Sequence, residues 1–344
     1  MTLRRVANVG RRRTWIIIIL LLAINIPATY AFARMREWHP HRIITRASSG
    51  LIVDHKAPIV GRKAQIQLTS SHYVGVAIDA PFTARLNAFK KVLGEQPGIV
   101  EYYMGFGGKF PTTRAVALAK QHSLSLIQIN PRHVRLADIA AGKYDTYLRS
   151  YAAAARRFQA PVAICFGHEM NGPWYPWGRK YTRPATFVAA WKHIHNVFAA
   201  ERASNVIWVW AVSRDANRGG WRGLRRWWPG PRYVNWVGID GYYRTPSQTF
   251  AYVFGQVLAE LHKFTTKPEI IDETAVGPFH DRNRKIRDLV AGVARNHLLG
   301  LVWFDINAME RWAIDRDRAA GPLLRRAMTE YRAAALAHSQ KAPN

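Results

Sequence analysis

The sequence predicts a (β/α)8 barrel preceded by an N-terminal signal peptide or membrane anchor. Three observations carry this reading. Short apolar runs rich in β-branched residues recur, helical stretches separate them, and the runs start roughly 25 to 45 residues apart, the spacing of βα units. Eight such units over roughly 270 residues fill one closed barrel.

The expected strands are Tyr73–Asp79, Ile99–Met104, Leu124–Asn130, Val162–Phe166, Val206–Val212, Trp236–Asp240, Glu269–Asp272 and Leu301–Ile306. Each is short and almost continuously apolar, as a parallel strand covered on both faces must be. Helical periodicity marks Thr83–Leu93, Arg114–His122, Tyr144–Phe158, Pro184–Glu201, Ser247–Phe264 and Asp281–Arg295. Pro184 sits at a helix start, where its missing N–H costs nothing. An open doubly wound sheet would want a glycine-rich phosphate loop after its first strand, and Asp79-Ala80-Pro81-Phe82 is not one. Gly105-Phe106-Gly107-Gly108 lacks the spacing and the lysine-serine end of a nucleotide loop. The units differ in sequence and length, which argues against a solenoid.

Residues 1–33 read as an export segment. Arg4, Arg5, Arg11, Arg12 and Arg13 precede an apolar run from Trp15 to Ile26, Pro27 breaks the run, and Ala31-Phe32-Ala33 gives a peptidase-type end. An uncleaved anchor over residues 15–33 is the competing reading. Both put the remainder outside the cytoplasm, secreted, periplasmic or held at a membrane. Residues 34–66 read as a linker and barrel entry, 67–338 as the barrel, and 339–344 as a tail.

The 344 residues are 49% hydrophobic and 21% charged, which excludes a disordered chain. Cys165 is the only cysteine, so an intrachain disulfide and a multi-cysteine zinc site are both excluded. The formal charge is +28; residues 1–33 hold five arginines and no acid or lysine, leaving +23 on the rest. Such a surface suits an anionic polysaccharide or an anionic membrane or envelope surface. The basic residues are scattered and no nucleic-acid module is recognisable, so no nucleic-acid partner is expected.

Barrel chemistry gathers at the C-terminal ends of the strands. Two glutamates stand there, Glu169 after strand 4 and Glu273 after strand 7, facing each other across the mouth. Glycosidic cleavage needs such a pair, one carboxyl protonated to release the leaving oxygen and one ionised to attack. Two rim glutamates paired to local arginines would read the same way in sequence. Asn171-Gly172-Pro173-Trp174-Tyr175-Pro176-Trp177-Gly178 follows Glu169 and is too bulky and turn-rich for a core helix. Rings in such a loop stack on sugar faces while Asn and Tyr supply hydrogen bonds. Trp303 on strand 8 is a further candidate for the mouth. Trp208 and Trp210 share one face of strand 5, which favours core packing for at least one. Asp79, Asp240 and Asp305 suit sugar hydroxyls and rim arginines equally. His193 and His195 point to different faces of a helix, and Cys165 reads as a small buried hydrophobe, so no metal or organic cofactor is expected.

The segment His168-Glu169-Met170-Asn171-Gly172-Pro173-Trp174-Tyr175-Pro176-Trp177-Gly178 resembles the acid/base signature of glycoside hydrolase family 26, the β-mannanase family. Trp236–Tyr242, Glu273 and Val302–Asp305 extend the likeness over about residues 70–320. The resemblance implies a retaining enzyme with Glu169 as general acid/base and Glu273 as nucleophile. It implies that His168 and Trp174 shape the subsite at the cleaved bond, that Tyr242 orients the nucleophile, and that Trp303 floors the bound sugar. The chain departs from the pattern at Cys165, where members commonly have arginine, and at Thr274. The function expected is double-displacement cleavage of a β-linked polysaccharide, a β-mannan or related glycan. A non-catalytic carbohydrate-binding or exopolysaccharide-processing factor on the same barrel is the alternative.

Overall fold

The structure, a computed structural model, describes residues 73–214, 220–306, 312–314, 317 and 319–339. The expected export segment, the linker and residues 340–344 lie outside the described residues. Eight strands form a closed barrel: β1 Tyr73–Ala77, β2 Ile99–Gly105, β3 Leu124–Asn130, β4 Val162–Phe166, β5 Val206–Ser213, β6 Trp236–Asp240, β7 Glu269–Thr274 and β8 Gly300–Phe304. Neighbours run parallel, and β8 closes the ring against β1 with Tyr73 opposite Gly300.

The helices are α1 Phe82–Leu93, α2 Thr112–Ala119, α3 Leu136–Ala140, α4 Asp145–Phe158, α5 Pro184–Ala200, α6 Gln256–Leu261, α7 Arg282–Arg295 and α8 Ala320–Ser339. Among the described residues between β5 and β6, a 3-10 turn, Leu224–Trp227, is the one helical element. A π-helical turn, Ala251–Gly255, leads into α6, so the helix expected over Ser247–Phe264 is shorter and starts irregularly. α8 was not expected as a separate element. α4 shows why these stretches are helical: Leu148, Tyr151, Ala152, Ala155 and Phe158 bury one face at spacings of three and four.

Period-two alternation sorts the strands other than β7 into an inner and an outer face. The inner cluster is small-sided, with Ile99, Leu126, Ala163, Val209, Ala211, Ile270 and Val302. The outer cluster is aromatic and packs the barrel against its helices, as where Phe187 meets Trp191 at 6.0 Å and Trp227 at 5.7 Å between ring centroids. Truncating one such ring to Ala would cost about 3–5 kcal/mol. Trp208 and Trp210 both face this outer layer.

β7 breaks the alternation. Gly238 pairs with Ile270 but Asp240 pairs with Glu273, and Ile271 pairs with Leu301 but Thr274 with Trp303. β7 therefore carries one more residue than either neighbour, a bulge. Both Asp272 and Glu273 turn inward as a result: Asp272 accepts a hydrogen bond from Gln128 and Glu273 one from Tyr103, on inward positions of β3 and β2.

Candidate active site

The turn after β4 is built around backbone that most side chains avoid. Gly167 has φ 59° and Glu169 φ 52°, both left-handed. That conformation costs a non-glycine residue about 1–2 kcal/mol. It is held at Glu169 by its N–H donating to Ala211 O at 3.0 Å and its carbonyl accepting from Gly172 N at 2.8 Å. The result is a glutamate side chain raised at the strand end. Trp174 then folds back, and its indole Nε1 donates to Glu169 Oε2 at 2.7 Å. Gly172 makes this possible, because a Cβ there would lie 2.4 Å from the Trp174 ring.

Glu273 is held by two phenols. Tyr103 donates to Oε1 at 2.6 Å and Tyr242 to Oε2 at 2.6 Å. Burial raises its carboxyl above the usual range, and the two phenolic hydrogen bonds pull it back. Glu169 and Glu273 act on the same neighbours: the charges of both push up Tyr175, Tyr242 and Asp240, on top of the larger effect of burial. The Tyr103 ring, whose hydroxyl holds Glu273, also lies 5.9 Å from the His168 ring, so the ends of β4 and β7 meet at one mouth. Glu169 is 9% and Glu273 6% exposed, whereas Glu101, Asp240 and Asp272 below them are 0% exposed.

Those deeper acids form a stack without a cation among its described ion pairs. Gln128 Nε2 bridges Glu101 Oε1 and Asp272 Oδ2, each at 3.0 Å. Asp272 is raised to about 8 by burial and by Glu273. Glu101 and Asp240 are raised well above their usual values, again by burial first and by neighbouring carboxylates second. Cys165 lies beside Gln128 in the register and is buried, its thiol pushed up by burial and by Asp272. Burial and the neighbouring carboxylates thus work against charge on the acids packed around Glu273.

The other expected residues divide. His168 is buried, edge-on to Tyr175 at 4.8 Å and Trp177 at 5.7 Å. Burial, then the Arg132 guanidinium, lower it to about 3, so the imidazole is neutral over the ordinary pH range. Tyr242 lies against Glu273, with Trp312 tilted at 5.1 Å from its ring. Asn171 does not reach into the mouth: it is 0% exposed, donates to Ser213 O at 2.7 Å and accepts from Ser213 N at 2.9 Å. It ties the β4 loop to β5. Trp177 is also a brace, stacked on Tyr175 at 4.4 Å with its indole donating to His168 O.

Trp303 corrects an expectation. It alternates with the inward Val302, so it points to the helix layer, fully buried, with Arg282 over its ring at 5.8 Å. Its indole donates to Trp312 O at 3.0 Å. It cannot floor a sugar there. Among the open aspartates, Asp79 and Asp305 both pair with Arg85 at 3.7 Å, whereas neither carboxyl oxygen of Asp240 has a hydrogen-bond partner among the described residues. His193 pairs with Asp145 at 2.6 Å on the outer layer.

Tyr103 is one of two site residues that sequence reasoning missed. Counting in twos from Ile99 along β2 reaches Glu101 and then Tyr103 at the strand end, a signal that was present. Arg132, 6.0 Å from the Tyr175 ring and 5.9 Å from that of Trp177, was missed as well.

Residues 142–283, the segment that contains both Glu169 and Glu273, match the model of glycosyl hydrolase family 26. The chain is related to glycosyl hydrolase family 26. Over 251 residues it is 29% identical to Endoglucanase H of Acetivibrio thermocellus, covering 68% of this chain and 28% of that protein. A mannan endo-1,4-beta-mannosidase of Bacillus subtilis is 30% identical over 125 residues, 35% of this chain and 33% of that one. The chain thus spans a third or less of the length of these two relatives. Among solved structures, Bacillus subtilis mannanase BCman aligns with TM-score 0.57 at 16% identity, covering 76% of this chain and 86% of that one. A GH26 beta-mannanase from Bacteroides ovatus gives TM-score 0.56 at 16% identity over 77% and 89%. These structures share the family 26 barrel fold.

Proposed function

We propose that the chain is a retaining glycoside hydrolase that cleaves a β-linked polysaccharide of the β-mannan type. The observation that carries the reading is the pair of phenolic donors that hold both oxygens of Glu273, Tyr103 on Oε1 and Tyr242 on Oε2. Glu169, at the same mouth, is met by the Trp174 indole. Donors to a carboxylate favour its ionised form. Those two donors, which pull its carboxyl back against burial, make Glu273 the group best placed to hold negative charge and attack an anomeric carbon.

The reaction then runs in two displacements. Glu273 bonds to the anomeric carbon as Glu169 gives its proton to the leaving oxygen. Glu169, now ionised and held by Trp174, takes a proton from water, and that water releases the sugar from Glu273. Tyr103 and Tyr242 return Glu273 to one orientation for the next cycle. The basic, apolar segment at residues 1–33 supports an exported enzyme that meets its polymer outside the cytoplasm.

The test is release of reducing ends from β-1,4-mannan and other β-glycans by the full chain and by the Glu169→Gln and Glu273→Gln variants. Wild type releases ends, and each variant loses on the order of 10²-fold or more. Equal release by wild type and both variants would overturn the assignment. Binding without release by wild type would favour a carbohydrate-handling protein without hydrolysis.

A further inference from the structure

The barrel interior holds a second polar layer beneath Glu273, one that the two displacements do not use. Its hub is Gln128 on β3, fully buried, as are Glu101 on β2 and Asp272 on β7. A single nitrogen, Nε2, donates to Glu101 Oε1 and to Asp272 Oδ2, each at 3.0 Å. The amide therefore ties β3 to its neighbour β2 and to β7 on the opposite wall of the ring. Both N–H groups of that nitrogen are used in doing so. The remaining oxygens, Glu101 Oε2 and Asp272 Oδ1, have no hydrogen-bond partner among the described residues.

Each carboxyl held by Gln128 stands next to one member of the Tyr103–Glu273 pair. Glu101 lies two residues before Tyr103 on the inward face of β2, and Asp272 precedes Glu273 in the β7 bulge. Gln128 itself is opposite Tyr103 in the register of β2 and β3. The Tyr103 hydroxyl has one proton and two carboxyls near it. Burial, then the charges of Glu101 and Glu273, push its phenol up. Burial, then Asp272 and Glu273, raise Glu101, and the Gln128 amide and the Tyr103 hydroxyl pull the other way. The proton goes to Glu273 Oε1, at 2.6 Å, while Glu101 takes its N–H from Gln128.

We propose that Gln128 is a positioning residue for the reaction: by holding Glu101 and Asp272 with one amide nitrogen, it leaves the Tyr103 proton to Glu273 and keeps the β7 bulge turned into the barrel. The inference rests on the hydrolase reading and adds to it a side chain that donates to neither Glu169 nor Glu273. Glutamine suits the place. A lysine or arginine there would draw both acids towards their ionised forms, and an apolar side chain would leave two buried carboxyls without this donor.

Gln128→Met keeps the reach of the side chain and removes both donors. The expected result is a kcat lowered about 10-fold with KM changed by less than about twofold, the pattern of an interaction lost from the reacting groups rather than from sugar binding. In a Tyr103→Phe background the same substitution should cost little more, because the proton it would redirect is already gone. Combining Gln128→Met with Glu101→Met should regain most of the lost kcat, because the competing acceptor is removed. An unchanged kcat, or a full second loss on top of Tyr103→Phe, would overturn the proposal and leave the hydrolase reading standing. If Gln128→Met does not fold, Gln128→Asn, too short to bridge both carboxyls, is carried through the same cycle. If wild type cleaves no glycan, the hydrolase reading falls, and the link is read from urea unfolding of Gln128→Met, Tyr103→Phe and the double variant. Unfolding free energies that add would overturn the link between Gln128 and Tyr103, and coupled ones would uphold it.

Discussion

Tyr103 and Glu273 come from β2 and β7, 170 residues apart in the chain, and meet in a 2.6 Å hydrogen bond. The bond exists because β7 bulges: without the extra residue, alternation would send Asp272 inward and Glu273 out. Tyr242 holds the other oxygen of the same carboxyl.

Removing either phenolic hydroxyl should slow turnover. A hydrogen bond to a charged group contributes about 1.5–3 kcal/mol, so Tyr103→Phe and Tyr242→Phe should each lower kcat/KM by roughly 10- to 100-fold. Both hydrogen bonds hold the Glu273 pKa down against burial. Losing one raises it further, so the acid limb of the pH–rate profile should move to higher pH. Steady-state rates from pH 4 to 8 check both effects.

Trp174 links loop geometry to Glu169. Gly172→Ala would place a methyl 2.4 Å from the Trp174 ring, so the ring must move and release Glu169 Oε2. Overpacking of this kind costs about 1–3 kcal/mol of stability. The expected outcome is a lowered Tm together with a fall in kcat. Trp174→Phe should lower kcat with a smaller change in Tm, because it loses the indole donor but keeps a ring.

Stability should fall as pH rises above neutrality. Asp272 is raised from 3.8 to about 8 in the folded protein, so the folded state binds the proton that the unfolded state releases. Each pH unit between the two values then lowers stability by about 1.4 kcal/mol for one such group. His168 has the opposite sign: held near 3 against 6.5, it favours the fold above pH 6.5 and loses that advantage as pH falls towards 3. Between pH 6.5 and 8 the buried acids act without His168, so Tm should decline across that window. Asp272→Asn should flatten the decline, which thermal melts at stepped pH will check.

The strands were legible because parallel strands covered on both faces leave near-continuous apolar runs: Leu124–Asn130, Val162–Phe166 and Trp236–Asp240 begin and end where expected. The polar residues at the strand ends followed from barrel architecture. Three features were hidden for physical reasons. The β7 bulge leaves no local mark in Glu269–Thr274, since it is set by pairing with β6 and β8. The outward aim of Trp303 follows from alternation with Val302, and family likeness pointed the other way. Asn171 has the composition of a sugar contact, yet its amide matches the Ser213 backbone on both edges, a pairing between distant residues.

The most direct test is the configuration of the first product. Proton NMR during the opening minutes of glycan cleavage resolves the anomeric signals before mutarotation mixes them. Attack by Glu273 followed by attack of water predicts that the β-anomer appears first and the α-anomer only later. An α-anomer formed first would mean a single displacement by water, and would contradict the roles given to Glu169 and Glu273.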